Sequence, residues 1–112
     1  HPASVDSAPT SANQEDHVSM ATFGARRLTE MTHNSAAVVG IEAMAAAQGI
    51  EMQRPLRSSA GVEREFAAVR ERVAFLDRDR LLAPDIQAMS DWALLSPWPA
   101  PIAALLPSHR TD

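Results

Sequence analysis

Apolar and polar positions alternate along this chain with helical periods in three places and with no period in between. Residues 1–9 set Val5 and Asp6 among Ser, Ala and Pro at a spacing of neither 2 nor 3.6, which predicts an extended loop. Pro9 disfavours helix at Ala8. A helix is predicted to start at Ser11, because Ser11 and Gln14 form an S-x-x-Q capping box and Thr10 offers a second register. Glu15 and Asp16 would place negative charge in its first turn, where the helix dipole favours it. Helix formers then run to about Gln48; Gly49 is a plausible C-cap region and Pro55 ends any continuation, so the core helix is assigned to residues 11–52.

The run of roughly 37 residues to about Gln48 alone extends ~55 Å as a helix at ~1.5 Å per residue. A compact globule of this chain length would be roughly 35 Å across. From Ala36 to Ala47 the only charged residue is Glu42, among Val38, Val39, Ile41, Met44 and six alanines. A helix apolar nearly all round has to be buried on nearly all sides, yet this one is too long to be enclosed by its own chain. Gly24 and Gly40, tolerated despite their low helix propensity, point to close helix approach. The expected fold is therefore all-α: one very long buried helix plus two shorter helices, a fragment of a large multi-helix bundle whose other helices lie mostly outside these residues.

The shorter elements follow a linker, Arg54 to Ala60, that contains Pro55 and two serines. Val62, Phe66, Val69 and Val73 then line one side of a helix predicted over 61–76, with Glu63, Arg64, Glu65, Arg70, Glu71 and Arg72 on its wet face. Asp77-Arg78-Asp79-Arg80 breaks it, most simply as a salt-bridged helix end. Pro84, a favoured first helical residue, opens a short helix to about Leu95. Ser96 to Pro101 reads as polyproline-like. No internal repeat and no convincing strand pattern is found.

Composition narrows the function classes. A net charge of −4, with arginine supplying all ten basic residues and no basic run, gives no footprint for nucleic acid or anionic lipid. Without cysteine there is no disulfide framework and no thiolate zinc site, which fits a reducing compartment. No segment approaches the ~18 consecutive apolar residues of a membrane span, and the first residues carry neither a basic nor an apolar signal region; a cytosolic protein is expected. The chain opens on His1 rather than Met, so a piece of something longer is expected. His1, His17, His33 and His109 make no H-x-x-x-H or H-E-x-x-H pattern, and no metal site is expected. No G-x-S-x-G is present. Ser58-Ser59-Ala60-Gly61 is most simply a loop and helix cap, and Trp92 and Trp98 are packing anchors.

The densest chemistry lies in Asn13-Gln14-Glu15-Asp16-His17. One reading is ordinary: Gln14 caps, the two acids serve the dipole and His17 is a solvated helix residue. The other is a site, since a helix entering a bundle core carries its first-turn side chains inward, and a carboxylate there needs a partner.

The run Pro2-Ala3-Ser4-Val5-Asp6-Ser7, followed by Pro9-Thr10-Ser11-Ala12-Asn13-Gln14-Glu15-Asp16-His17-Val18-Ser19-Met20, closely resembles the C-terminal part of bacterial histidine ammonia-lyases, within the aromatic amino acid lyases. The resemblance continues through Ala25-Arg26-Arg27, Ile41-Glu42, Ala46-Ala47-Gln48-Gly49, the Asp77 to Arg80 run, Ala83-Pro84-Asp85-Ile86 and Leu105-Leu106-Pro107-Ser108. Pro97 to Ala103 and the last four residues match nothing in it. It implies an enzyme that eliminates ammonia from L-histidine to give trans-urocanate with a methylidene-imidazolone (MIO) electrophile made from an internal Ala-Ser-Gly. It also implies a mostly helical homotetramer with active sites built from several subunits.

On this resemblance residues 1–10 are an active-site loop, 11–52 the long core helix carrying Gln-Glu-Asp-His, and 53–112 the C-terminal helices and proline-rich tail. Glu15 is the catalytic candidate, and Glu15 with Gln14 the substrate-binding pair. A carboxylate accepts strongly from the ring N–H of imidazole, and a phenyl ring offers none, so Glu15 argues for histidine; accepting or relaying a proton is a second role open to it. No cofactor-binding residue is assigned in this segment, because Ser59-Ala60-Gly61 has the wrong order, and the chain has no tyrosine for the family's base. The remainder of the lyase chain or a larger complementary subunit is the expected partner, and the segment alone is expected to be inactive. The alternatives are a related lyase or aminomutase, and a non-catalytic helical oligomerisation module.

Overall fold

A computed structural model describes residues 2–14 and 17–97. Three α-helices dominate: α1, Ala21–Met52; α2, Ala60–Arg70; and α3, Ala83–Leu95. Two 3-10 turns, Ala3–Val5 and Ser11–Asn13, precede them, and no strand occurs among the described residues. The expected all-α class with one long and two shorter helices is what the chain adopts. The chain divides into two compact units, residues 1–35 and 36–112, with α1 running through both.

The start of the long helix differs from expectation. It begins at Ala21, not Ser11, because Ser11, Ala12 and Asn13 all have positive φ, at 44°, 58° and 68°. Such residues cannot begin a right-handed helix. The S-x-x-Q box is consequently not formed; the turn has no side-chain cap, and the Gln14 N–H donates to the carbonyls of Thr10 and Ser11, both at 3.2 Å. The helix entry lies later, where the Ala21 N–H donates to Ser19 Oγ at 3.3 Å and the Gly24 N–H to the Met20 carbonyl at 2.9 Å. At its other end α1 passes through Gly49 and stops at Met52, as Gln53 and Arg54 close tighter bonds onto Ile50 and Glu51 ahead of a cis Arg54–Pro55 peptide.

The core sits in the second unit. Ala47 of α1, Val69 and Val73 of α2 and the turn after it, and Met89 of α3 form a buried cluster, against which Ala43, Met44, Phe66 and Trp92 pack. Trp92 is thus the packing anchor expected, while Trp98 lies outside the described residues. Met89 is fully buried, and Gly40 lies against it: a Cβ at Gly40 would stand 3.1 Å from the Met89 carbonyl carbon, Met89 Cβ and the Ser90 nitrogen. The glycine is what lets α1 and α3 touch through backbone.

α2 starts where its cap chemistry implied: Ser59 Oγ accepts the Val62 N–H at 3.4 Å, and Glu63 lies in the first turn. It ends at Arg70, short of the expected Leu76, because distant side chains take over the backbone groups that would extend it. Gln48 of α1 donates through Nε2 to the Leu76 carbonyl at 3.0 Å and accepts the Leu76 N–H through Oε1 at 3.1 Å. Arg70 donates to the Val73 carbonyl at 3.2 Å and pairs with Glu51. The Asp77 to Arg80 run is not paired within itself as a helix end; Arg80 instead reaches Asp85 at 2.8 Å and the carbonyls of Ala74 and Phe75.

Within this chain α1 is covered only in part, as expected of a helix too long for its own chain to enclose. Within this chain its buried residues are Ala36, Gly40 and Ala47, where α2 and α3 cover it. Residues 21–35 are exposed, as are Val38, Val39 and Ile41. Two short helices cannot enclose a helix of 32 residues.

Candidate functional site

The candidate site is built from the first unit, in the stretch that joins the loop to α1. Thr10 enters it extended, at φ −123° and ψ 152°. Its carbonyl then accepts the Asn13 N–H at 2.8 Å and the Gln14 N–H at 3.2 Å, closing a left-handed turn over Ser11, Ala12 and Asn13. Asn tolerates this region because its short polar side chain bonds locally, whereas Ala12 has no such compensation and a left-handed L-residue costs roughly 1–2 kcal/mol. Backbone strain of this kind concentrates where a segment's geometry serves a function.

Gln14 leaves the turn near helical angles, at φ −107° and ψ −15°, with its side chain exposed. Glu15 and Asp16 lie outside the described residues. His17 is exposed, and Val18 is half-buried with its N–H donating to Ser7 Oγ at 2.8 Å. Ser7 therefore ties the segment entering the turn to the segment leaving it. Nothing in the sequence beyond the hydroxyl itself marks this pair, since the contact spans eleven positions and follows no helical or strand period.

Beyond Met20 the first turns of α1 present Thr22, Phe23, Arg26, Arg27 and Glu30 along a shallow concavity of about 720 Å3. It joins one aromatic ring to charged groups of both signs.

The family model for aromatic amino acid lyase matches residues 1–71, more than half of the chain. This chain belongs to the aromatic amino acid lyase family. Among lyases similar to it, the histidine ammonia-lyase of Paracidovorax citrulli (strain AAC00-1) is 68% identical over 110 residues, covering 98% of this chain and 22% of that protein. The histidine ammonia-lyase of Shewanella piezotolerans (strain WP3 / JCM 13877) is 51% identical over 109 residues, covering 96% of this chain and 21% of that protein. Among solved structures, the crystal structure of histidine ammonia-lyase from Trypanosoma cruzi superposes with a TM-score of 0.76 at 39% identity, over 84% of this chain and 19% of that one. The chain thus spans about a fifth of the length of the lyases it matches.

The electrophile expected of this family has a sequence requirement that can be tested on the residues present. Ser59-Ala60-Gly61 is the stretch nearest in composition to Ala-Ser-Gly, and it forms the cap and first turn of α2, with Ser59 Oγ engaged by the Val62 N–H. Neither its order nor its structural role fits. The chain also contains no tyrosine.

Proposed function

We propose that this chain is the C-terminal part of a histidine ammonia-lyase, which as a complete enzyme eliminates ammonia from L-histidine to give trans-urocanate in histidine degradation. The observation that carries the reading is the extent of identity to the Paracidovorax histidine ammonia-lyase across nearly the whole chain. The working enzyme is then a cytoplasmic homotetramer, in which the remainder of the lyase chain or a larger complementary subunit provides the MIO group and a tyrosyl base. This segment supplies substrate recognition.

Glu15 is the residue proposed to do so, with Gln14 beside it in sequence. An ionised carboxylate accepts the imidazole N–H of histidine in a charge-assisted hydrogen bond, roughly twice as strong as a neutral one. Left buried beside a phenyl ring, the same carboxylate would lack a partner, and that penalty turns an attraction for histidine into selectivity against phenylalanine. A left-handed turn at residues 11–13 supports this assignment, because it fixes the backbone directly ahead of Gln14.

The test is an assay of the complete enzyme on histidine, phenylalanine and tyrosine, before and after Glu15→Gln. The substitution keeps an acceptor and removes its charge, so kcat/KM for histidine should fall about tenfold to a hundredfold, the worth of a charged hydrogen bond, with no matching fall on phenylalanine. Equal losses on every substrate would remove the imidazole-pairing role. Urocanate formation by the isolated 112-residue polypeptide would overturn the dependence on the rest of the enzyme.

A further inference from the structure

The geometry points to Ser7 as a positioning residue for the substrate-recognition segment: its hydroxyl, by accepting the Val18 N–H, clasps the two ends of the stretch that carries Gln14 and His17. This rests on the proposed role of that segment in binding histidine.

The argument starts from how each backbone group near the turn is satisfied. Thr10 takes the N–H groups of Asn13 and Gln14, so the turn closes on itself. Ser19 Oγ takes the Ala21 N–H, and the Met20 carbonyl takes the first helical bond from Gly24, which sets the helix entry. Between these two local devices lies Val18, whose N–H precedes the helical ladder. Ser7 Oγ meets it at 2.8 Å, a full-strength geometry, from eleven positions away. The Ser7 to Val18 bond holds the chain that enters the turn to the chain that enters α1.

The chemistry of the residue fits the task. A hydroxyl oxygen on a short side chain accepts an amide N–H with little rotamer freedom to lose, and the oxygen retains a proton to donate. Thr offers the same oxygen and Ala none. Ser7 touches neither substrate nor reacting atoms in this reading, so its loss should appear as poorer registration of the recognition segment rather than as loss of chemistry. The exposed position of the bond makes water able to replace it for stability, which separates its effect on binding from any effect on folding.

The experiment uses the complete lyase carrying Ser7→Ala, Ser7→Thr or Glu15→Gln. Ser7→Ala should raise KM for L-histidine about fivefold, the loss expected from one hydrogen bond, with kcat and melting temperature little changed. Ser7→Thr should restore KM. Amide hydrogen exchange at Val18 should quicken in the Ala variant and return to the parental rate in the Thr variant. An unchanged KM in Ser7→Ala, while Glu15→Gln weakens histidine, would overturn the positioning role and leave the substrate assignment standing. If Glu15→Gln has no effect, the substrate assignment falls instead, and the clasp is then decided by Val18 exchange alone: protection lost in Ala and kept in Thr supports it, and equal exchange in all variants overturns it.

Discussion

Gly40 offers the sharpest test of how α1 carries its neighbours, because two opposing effects of known size meet at one atom. Replacing a helical glycine by alanine gains about 1 kcal/mol in helix propensity. At Gly40 the added Cβ would lie 3.1 Å from three atoms of α3, two of them backbone, where carbon contacts settle at roughly 3.5–4.0 Å. The helices must separate by several tenths of an ångström, and overpacking of that kind costs about 1–3 kcal/mol. Gly40→Ala should therefore be neutral to destabilising. Gly49 supplies the control, since it is exposed in the same helix and nothing lies within 4 Å of its added Cβ. Gly49→Ala should stabilise by about 1 kcal/mol.

The difference between the two substitutions, about 1–3 kcal/mol, isolates the helix approach from the propensity gain common to both. Urea unfolding of the 112-residue chain, followed by far-ultraviolet circular dichroism, measures it. Met89→Ala adds a second arm. The atoms that crowd Gly40 are the Met89 Cβ and carbonyl carbon and the Ser90 nitrogen, all of which survive that truncation. Met89→Ala should cost about 2–5 kcal/mol by itself, as the fully buried side chain of the core, and should not rescue Gly40→Ala. If Gly40→Ala stabilises as much as Gly49→Ala, the close α1–α3 contact is refuted.

Gln48→Ala should leave the N–H and carbonyl of Leu76 without their shared partner, costing about 1–3 kcal/mol; faster amide exchange at Leu76, with the exchange of residues 21–30 unchanged, is the readout. Glu63 is held at a pKa of about 2, below its ordinary 4.5, first by the hydrogen bond from Arg54 and then by the Ser58 N–H. Its stabilising contribution is therefore complete above about pH 4.5 and lost as pH falls toward 2. An acid titration of the linker and α2 should show this loss, and Glu63→Gln should abolish it; an identical acid transition in both proteins would count against the ion pair as its cause.

What was legible in the sequence is what local chemistry determines. Ser59 ahead of Ala60-Gly61-Val62-Glu63 is a cap, and it caps; Pro84 sits in the first turn of α3, one residue after its start at Ala83, where its missing N–H costs nothing. The end of α2 was not legible, since Arg70 is followed by residues with good helix propensity, and the groups that stop it arrive from Gln48, 28 positions from Leu76. The start of α1 fails for a different reason. Ser, Thr and Asn side chains bond their own backbone both at helix caps and in turns, so the same residues mark either structure. Between Ser11 and Met20 the apolar residues are Ala12, Val18 and Met20, with no i, i+3, i+4 repeat to favour the helix; cap chemistry without periodicity is turn chemistry. The consequence reaches the candidate site. Gln14 sits at the close of a strained left-handed turn rather than in the first turn of a helix, so it takes no alignment from a helix axis. Contacts across the loop then set its position, and among the described residues the Ser7 hydroxyl on the Val18 amide is a contact of that kind.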